Sequence, residues 1–338
     1  MGLEALVPSG CKAGRKAREN ARLTAGVFFC SLIILGLTGC ASLFPQTAQL
    51  RNGLPEDLPE IVELKHVPFF PQDEYQCGPA ALATALASAG AKVTPDELVP
   101  QVYLPERKGS LQVEMLAAAR RHGMVSYLLA PRFEDLLREI AAGNPVIVLQ
   151  DQSPVGGWHY AVAVGYDYDR GSMTFRSGET EKQRLTFPVH EFLWMRSGYW
   201  AMVALPPDRI PATADEARFL AAIAALERAG DAGASRVAYA SFLKRWPQNI
   251  NAAIGLANAY HSLGNLKQAE QVLREAAARA PDSAIVLNNL AQTLSDQNRD
   301  DEALPVIDRA VGVAGPHAAA IAETRQAILG RLAAKKKN

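Results

Sequence analysis

The chain is poor in cysteine, balanced in charge and without a long hydrophobic span, and each shortage removes a class of protein. Four cysteines in 338 residues, at 11, 30, 40 and 77, cannot staple a chain of this size, so a disulfide scaffold is excluded. Lys+Arg and Asp+Glu are both 35, giving a formal net charge of zero, so the basic footprint of a nucleic-acid binder is missing. The apolar run from Ala25 to Leu37 is shorter than the ~20 residues a membrane-crossing helix needs. His66, His122, His190, His261 and His317 show no metal-ligand spacing, and no metal or cofactor is expected. What remains is ordinary globular material, 49% hydrophobic and 21% charged, long enough for about two domains.

The N-terminal segment has the order of a secretory signal. Lys12, Arg15, Lys16, Arg18 and Arg22 precede the apolar run, and small residues close it. The closing Leu37-Thr38-Gly39-Cys40 resembles a bacterial lipobox, which implies cleavage before Cys40 and lipidation of that residue. Residues 1–39 are then a lipoprotein signal peptide, and 40–60, polar and proline-punctuated, a tether. Ala41 and Ser42 follow Cys40 without the Asp that favours inner-membrane retention. The expected address is thus the bacterial cell envelope, at the outer membrane facing the periplasm, with the membrane a partner through the Cys40 lipid. Processing would take five basic and two acidic residues from 35 of each, leaving a charge near −3. It would also remove Cys11 and Cys30, so Cys77 becomes the one free thiol in an oxidising compartment, where a thiol must be buried or used.

From Ile61 to Leu205 helical and strand patterns mix. Helices are expected over Pro79–Ala89, Pro95–Gln101, Leu111–Arg121 and Phe133–Ala142. Strands are expected over Val125–Leu129, Val146–Gln150, His159–Tyr166, Met173–Arg176 and Trp200–Leu205. Thr94-Pro95-Asp96-Glu97 reads as a capping box with Pro at N1, and Gly123 as a helix stop. Helices first and successive strands after is an α+β order. Pro-rich residues 206–213 form a linker, and an Ala-rich helical domain occupies 214–334. Its internal period is 34: Leu256 recurs as Leu290, Ala257 as Ala291, Ala269 as Ala303, Leu273 as Ile307, and Ala276 as Ala310. This pattern resembles the tetratricopeptide repeat, with two good repeats over roughly 250–317, a degenerate one before them and a closing helix. The resemblance implies a groove that takes a peptide or a protein partner.

The most informative segment is Gln72-Asp73-Glu74-Tyr75-Gln76-Cys77-Gly78-Pro79-Ala80. Cys77 stands where a helix is about to begin, with Pro79 at an N1-like place. Unpaired N–H groups and the positive end of the dipole there favour thiolate and can stabilise an oxyanion. Far downstream, Gly156-Gly157-Trp158-His159-Tyr160-Ala161-Val162 reads as a glycine loop, a His and an apolar strand.

Together these two segments resemble the papain-like bacteriocin-processing cysteine peptidases that trim double-glycine leaders. Gly109-Ser110-Leu111 and Gly143-Asn144-Pro145-Val146 match as well, and the resemblance spans about residues 64–205. It implies an α+β papain-like cysteine peptidase domain followed by an all-α tetratricopeptide-repeat domain. It also implies roles: Cys77 the nucleophile, His159 the base, and Gln72 an oxyanion donor, with Gln76 as the alternative. The family's orienting Asp, sixteen to eighteen residues past the His, is not there; the stretch reads Phe175-Arg176-Ser177-Gly178. Asp167 and Asp169 are the nearby carboxylates, and Ser177 or a backbone carbonyl are the other ways to orient the ring.

Two functions follow. One is a lipid-anchored envelope cysteine peptidase acting on a peptide or protein substrate that the repeats recruit. The other is a catalytically degenerate peptidase-like module acting as an assembly factor through its repeats. No ATP-binding cassette or transmembrane bundle follows the domain, so the double-glycine substrate does not carry over. Cell-wall endopeptidase action is a third option, lowered by the lack of an Asp-Cys-Ser/Thr signature.

Overall fold

The computed structural model describes residues 43–72, 76–153 and 157–336, so the lipobox-like motif and Cys40 lie outside the described residues. The chain divides into two compact units, one ending at Gly53 and one running on from Leu54. The first contributes a short helix, α1 (Pro45–Leu50), with Pro at its start, in a stretch expected to be only a tether.

The second unit opens on a seven-stranded antiparallel sheet. In chain order its strands are β1 (Ile61–Glu63), β4 (Val125–Leu128), β5 (Val146–Asp151), β6 (Trp158–Asp167), β7 (Ser172–Ser177), β8 (Thr180–Thr186) and β9 (Ala201–Leu205). The spatial order is β4-β9-β5-β6-β7-β8, with β1 on the far end of β6. β2 (Tyr103–Leu104) and β3 (Gly109–Ser110) form a separate small hairpin. β6 is the spine of the sheet: it pairs with β5 over Trp158–Ala163, with β7 over Val162–Asp167 and with β1 over Gly165–Asp167. A Cβ on Gly165 would stand 2.5 Å from Val62 O, so only glycine lets β1 come this close.

Helix α2 (Cys77–Ser88) is apolar on every side, as its sequence CGPAALATALAS requires, and nine of its twelve residues are buried. It packs on β6 and β5. α3 (Pro95–Val102) starts with the full capping box, Glu97 N–H donating to Thr94 Oγ1 and Thr94 N–H to Glu97 Oε2. α4 (Gln112–Arg121) and α5 (Phe133–Ala141) follow, and Gly123 lies at φ +72° behind α4. α6 (Phe187–Met195) buries His190 and Trp194 among aromatic rings that include Phe133.

Among the described residues, seven α-helices complete the unit: α7 (Glu216–Glu227), α8 (Ala232–Arg245), α9 (Ile250–Ser262), α10 (Leu266–Arg279), α11 (Ala284–Asp296), α12 (Asp300–Gly312) and α13 (Ala318–Lys335). The residues of the 34-residue period are the contact residues: Ala257, Ala291, Ala269, Ala303, Leu273, Ile307, Ala276 and Ala310 are all buried. Small side chains recur because paired helices need close approach, as at Gly255, where a Cβ would strike the Tyr239 ring.

The Pro-rich connection is pinned rather than loose. Glu139 on α5 is fully buried and accepts from Thr213 N–H (2.8 Å), Thr213 Oγ1 (2.7 Å) and Asn144 Nδ2 (2.6 Å). Arg209 Nη1 donates to Asn144 Oδ1 (3.1 Å), and Tyr127 on β4 donates its hydroxyl to Thr213 O (3.1 Å). The Tyr127 ring meets Phe219 of α7 edge-on, with centroids 6.2 Å apart. Sheet and repeats are therefore joined through a satisfied polar network. Glu139→Ala leaves three buried donors unpaired and is expected to destabilise the protein by about 3 kcal/mol. Calorimetry should show this as a midpoint lowered by roughly 6–10 °C, with Glu139→Gln losing less.

Candidate active site

Cys77 is the first residue of α2, with Gln76 as the N-cap, so Pro79 is the third helical residue and not the first. Proline is tolerated there because none of the first N–H groups has a partner inside the helix. The backbone N–H groups of Tyr160, Gly78 and Cys77 itself stand close enough to the half-buried thiol to favour its ionised form. Because the Tyr160 nitrogen is bonded to the carbonyl carbon of His159, this places His159 beside Cys77 in the fold. Among the described residues no hydrogen bond joins thiol and imidazole directly.

His159 sits near the start of β6, opposite Gln150 of β5. Its Nε2 lies 2.9 Å from Ser177 Oγ at the end of β7. Ser177 is thus the group that orients the imidazole, and Nδ1 is the ring nitrogen left for the thiol. A hydroxyl both donates and accepts, so it holds the ring without dictating the tautomer. Asp167, the carboxylate proposed from its sequence proximity, does not serve. It lies eight residues along the same strand, roughly 26 Å from His159 at the rise of an extended chain. There it pairs with Ile61 and Ser172 and binds Arg170 at 3.4 Å. Asp169, in the turn that Gly171 closes, is equally remote.

The segment carrying Gln72 is tied down beside Ser177. Gln72 N–H donates to Gly178 O (3.2 Å), and buried Arg176 donates through Nε and Nη2 to Val67 O (3.4 and 3.2 Å). The backbone of Gln72 and the end of β7 are therefore neighbours, while Gln76 stands at the N-cap position of α2 with no side-chain cap bond. Arg176 and Ser110 are the two residues sequence reasoning passed over. Ser110 Oγ is buried with no hydrogen-bond partner, pressed against the first turn of α2. A Cβ on Gly78 would come to 2.1 Å from it, which is why glycine follows Cys77. The Tyr160 hydroxyl donates to Ser110 O (3.2 Å), locking the β2–β3 hairpin to β6. The Gly109-Ser110 match to the peptidase pattern was the only signal in the sequence.

A cleft of about 760 Å³ is lined by Cys77 together with Ser110, Leu111, Leu149, Trp158 and Tyr160. Among the described residues no cluster could hold a metal ion, and no helix is long and apolar enough to cross a membrane. Burial governs the electrostatics. It pushes the Cys77 thiol up, against the three N–H groups that favour thiolate, and drives His159 down to about 4. Both shifts favour the uncharged forms, thiol and neutral imidazole, over the thiolate expected from the helix terminus alone. Such a pair can attack a carbonyl when the imidazole takes the proton as the sulfur engages, and the free N–H groups at the start of α2 can receive the oxyanion.

Comparison with known proteins follows the same division. Residues 64–192 match the Peptidase_C39 like family, and residues 214–288 and 283–314 match two tetratricopeptide-repeat families. Among solved structures, a C39-like peptidase from Bacillus anthracis is 18% identical, covering 44% of this chain and 98% of its own, with a TM-score of 0.37. A thermophilic TPR protein from Thermus thermophilus is also 18% identical, covering 35% of this chain and 67% of its own, with a TM-score of 0.32. No curated protein matches the chain.

The neutral pair makes a definite pH profile. Alkylation of Cys77 by iodoacetamide should climb steadily from pH 6 to 10, without the plateau between roughly pH 5 and 8 that a thiolate–imidazolium pair produces. Ser177→Asp sets a carboxylate against Nε2, favours imidazolium and raises the His159 pKa. In that variant, alkylation near neutral pH should quicken and a shoulder should emerge.

Proposed function

Since residues 64–192 form a C39-like peptidase domain with tetratricopeptide repeats behind it, we propose that the protein is a cysteine-dependent peptide hydrolase of the bacterial envelope. The observation that carries this reading is the placement of Cys77 and His159. The Cys77 sulfur lies by the backbone N–H of Tyr160; His159, one residue earlier, is held by Ser177; and Cys77 lines the cleft.

The chemistry runs through these groups. His159 takes the Cys77 proton as the sulfur bonds to the scissile carbonyl carbon, and the N–H groups opening α2 hold the oxyanion, with the Gln72 amide as a further donor. The tetrahedral adduct collapses when His159 gives the proton to the departing amine, leaving a thioester. Water, deprotonated by His159, then releases the acid and restores the thiol. The repeats present a protein or peptide to this domain. The lipobox-like Leu37-Thr38-Gly39-Cys40 supplies a lipid anchor at the outer membrane, facing the periplasm.

One observation favours a second reading. Ser177 stands where a carboxylate would hold the imidazolium, and without it the charged intermediate is poorly supported. The same fold would then be a peptidase-like module that assembles partners through its repeats. A mixed peptide library, incubated with the protein and with Cys77→Ala, separates the two. Cleavage absent from the variant establishes the hydrolase; intact peptides with both proteins leave the assembly module. For the anchor, Cys40→Ser is expected to move the protein from the membrane fraction to the soluble one.

A further inference from the structure

Among the described residues that line the cleft over Cys77, the charged ones are Arg107, Lys108 and Arg196, all of one sign. The two arginines come from different elements. Arg107 is exposed in the one-turn 3-10 helix Pro105–Arg107 between β2 and β3, and among the described residues no hydrogen bond or ion pair occupies its guanidinium. Arg196 follows α6 and is fixed from behind: its Nε donates to Asp151 Oδ2 at 2.7 Å, and its guanidinium lies 5.7 Å from the centre of the Phe192 ring. Among the described residues, the terminal nitrogens of Arg196 have no hydrogen-bond partner. Asp151 is committed elsewhere too, accepting from Ser153 N–H at 2.9 Å. Glu106, in the same turn as Arg107, is exposed and does not line the cleft.

The hairpin that presents Arg107 is not a loose loop. Lys108 takes a left-handed conformation at φ 47°, its N–H donating to Pro105 O (3.1 Å), and the hairpin is tied to β6 through the Tyr160 hydroxyl on Ser110 O. A non-glycine residue in that conformation is held by its surroundings, and here it turns the chain at the mouth of the cleft. Two guanidinium groups with free N–H donors, held on separate supports around one thiol, are suited to carboxylate oxygens, which a guanidinium binds through paired hydrogen bonds.

We propose that the cleft recognises peptides carrying a carboxylate close to the scissile bond, with Arg107 and Arg196 as the residues that set this preference. The proposal rests on the peptide-hydrolase reading for its consequence, but the recognition itself is a property of the cleft. The carboxylate can come from an Asp or Glu side chain or from a peptide C-terminus. The site is a specificity pocket, and no bond is made or broken by either arginine.

The test uses the full chain and matched synthetic peptides: a Glu-containing sequence, its Gln counterpart, and each with a free or amidated C-terminus. Where peptides are cleaved, kcat/KM should favour Glu over Gln by roughly tenfold at low salt, and the preference should shrink as ionic strength rises. If the preference follows the free C-terminus and not Glu, the terminal carboxylate is the source. Arg107→Gln is expected to lower the acidic-to-neutral ratio roughly tenfold, and Arg107→Glu to turn it toward Lys-containing peptides. Arg196→Lys, which keeps a charge toward Asp151 but loses the fork, should weaken the ratio less than Arg107→Glu. Equal cleavage of Glu and Gln peptides, or variants that lower both alike, overturns the proposal while the hydrolase stands. If nothing is cleaved, the hydrolase reading has failed separately, and the same peptides are titrated by fluorescence anisotropy. Tighter binding of the acidic set that Arg107→Glu abolishes supports the pocket, and indifference to charge overturns it.

Discussion

Helix α2 has no polar face, so it is stable only where protein covers it on every side, and the sheet is the surface that does so. Most of the site follows from that constraint. Covering the first turn as well as the rest brings Cys77 against the backbone of β6 and presses Ser110 onto Gly78. It also leaves no room for a side chain at position 78. β6 can offer its Tyr160 N–H to a thiol, and not to another strand, because pairing with β7 begins only at Val162. The side of β6 that β7 leaves unpaired at its start and the unpaired start of a buried helix meet there.

The same burial sets the chemistry at a disadvantage that the fold does not remove. A thiolate and an imidazolium would stabilise each other, but each must first leave water, and both groups are shifted toward their neutral forms. In a site with a carboxylate behind the imidazole, the charged pair has a third partner. Here that place is held by Ser177, with no net charge to give. Arg176, next to it in sequence, is buried and donates to the Val67 and Glu181 carbonyls, the first of them in the segment that leads to Gln72. Burial thus disfavours a preformed ion pair between Cys77 and His159, and the proposed attack would have the imidazole take the proton as the sulfur engages.

The helices and strands flanking the site were legible because their patterns are local: the Thr94 capping box, the stop at Gly123, and the 34-residue period whose members are the buried helix contacts. Other elements left no such trace. β8, Thr-Glu-Lys-Gln-Arg-Leu-Thr, is a mostly exposed edge strand whose charges conceal any alternation, and β2 and β3 are two residues each. α6 is rich in aromatic and β-branched residues of low helix propensity and exists because His190 and Trp194 have a ring cluster to enter. The error over Asp167 has the same root. Distance along a strand is not distance across a sheet: Ser177, eighteen residues from His159, touches it, because the β6–β7 turn folds the chain back in register.

The attachment of the repeats bears on how they can serve the cleft. Glu139, Thr213 and Tyr127 fix α7 against β4, at the edge of the sheet, so the repeats are not swung on a flexible linker. β9 and β5 stand between β4 and β6, which sets the attachment roughly 14 Å from the strand that carries His159. On the proposed reading, in which the repeats deliver a chain to Cys77, this rigid mount would act through effective concentration and would favour chains long enough to bridge the gap over short peptides, which would meet the cleft unaided.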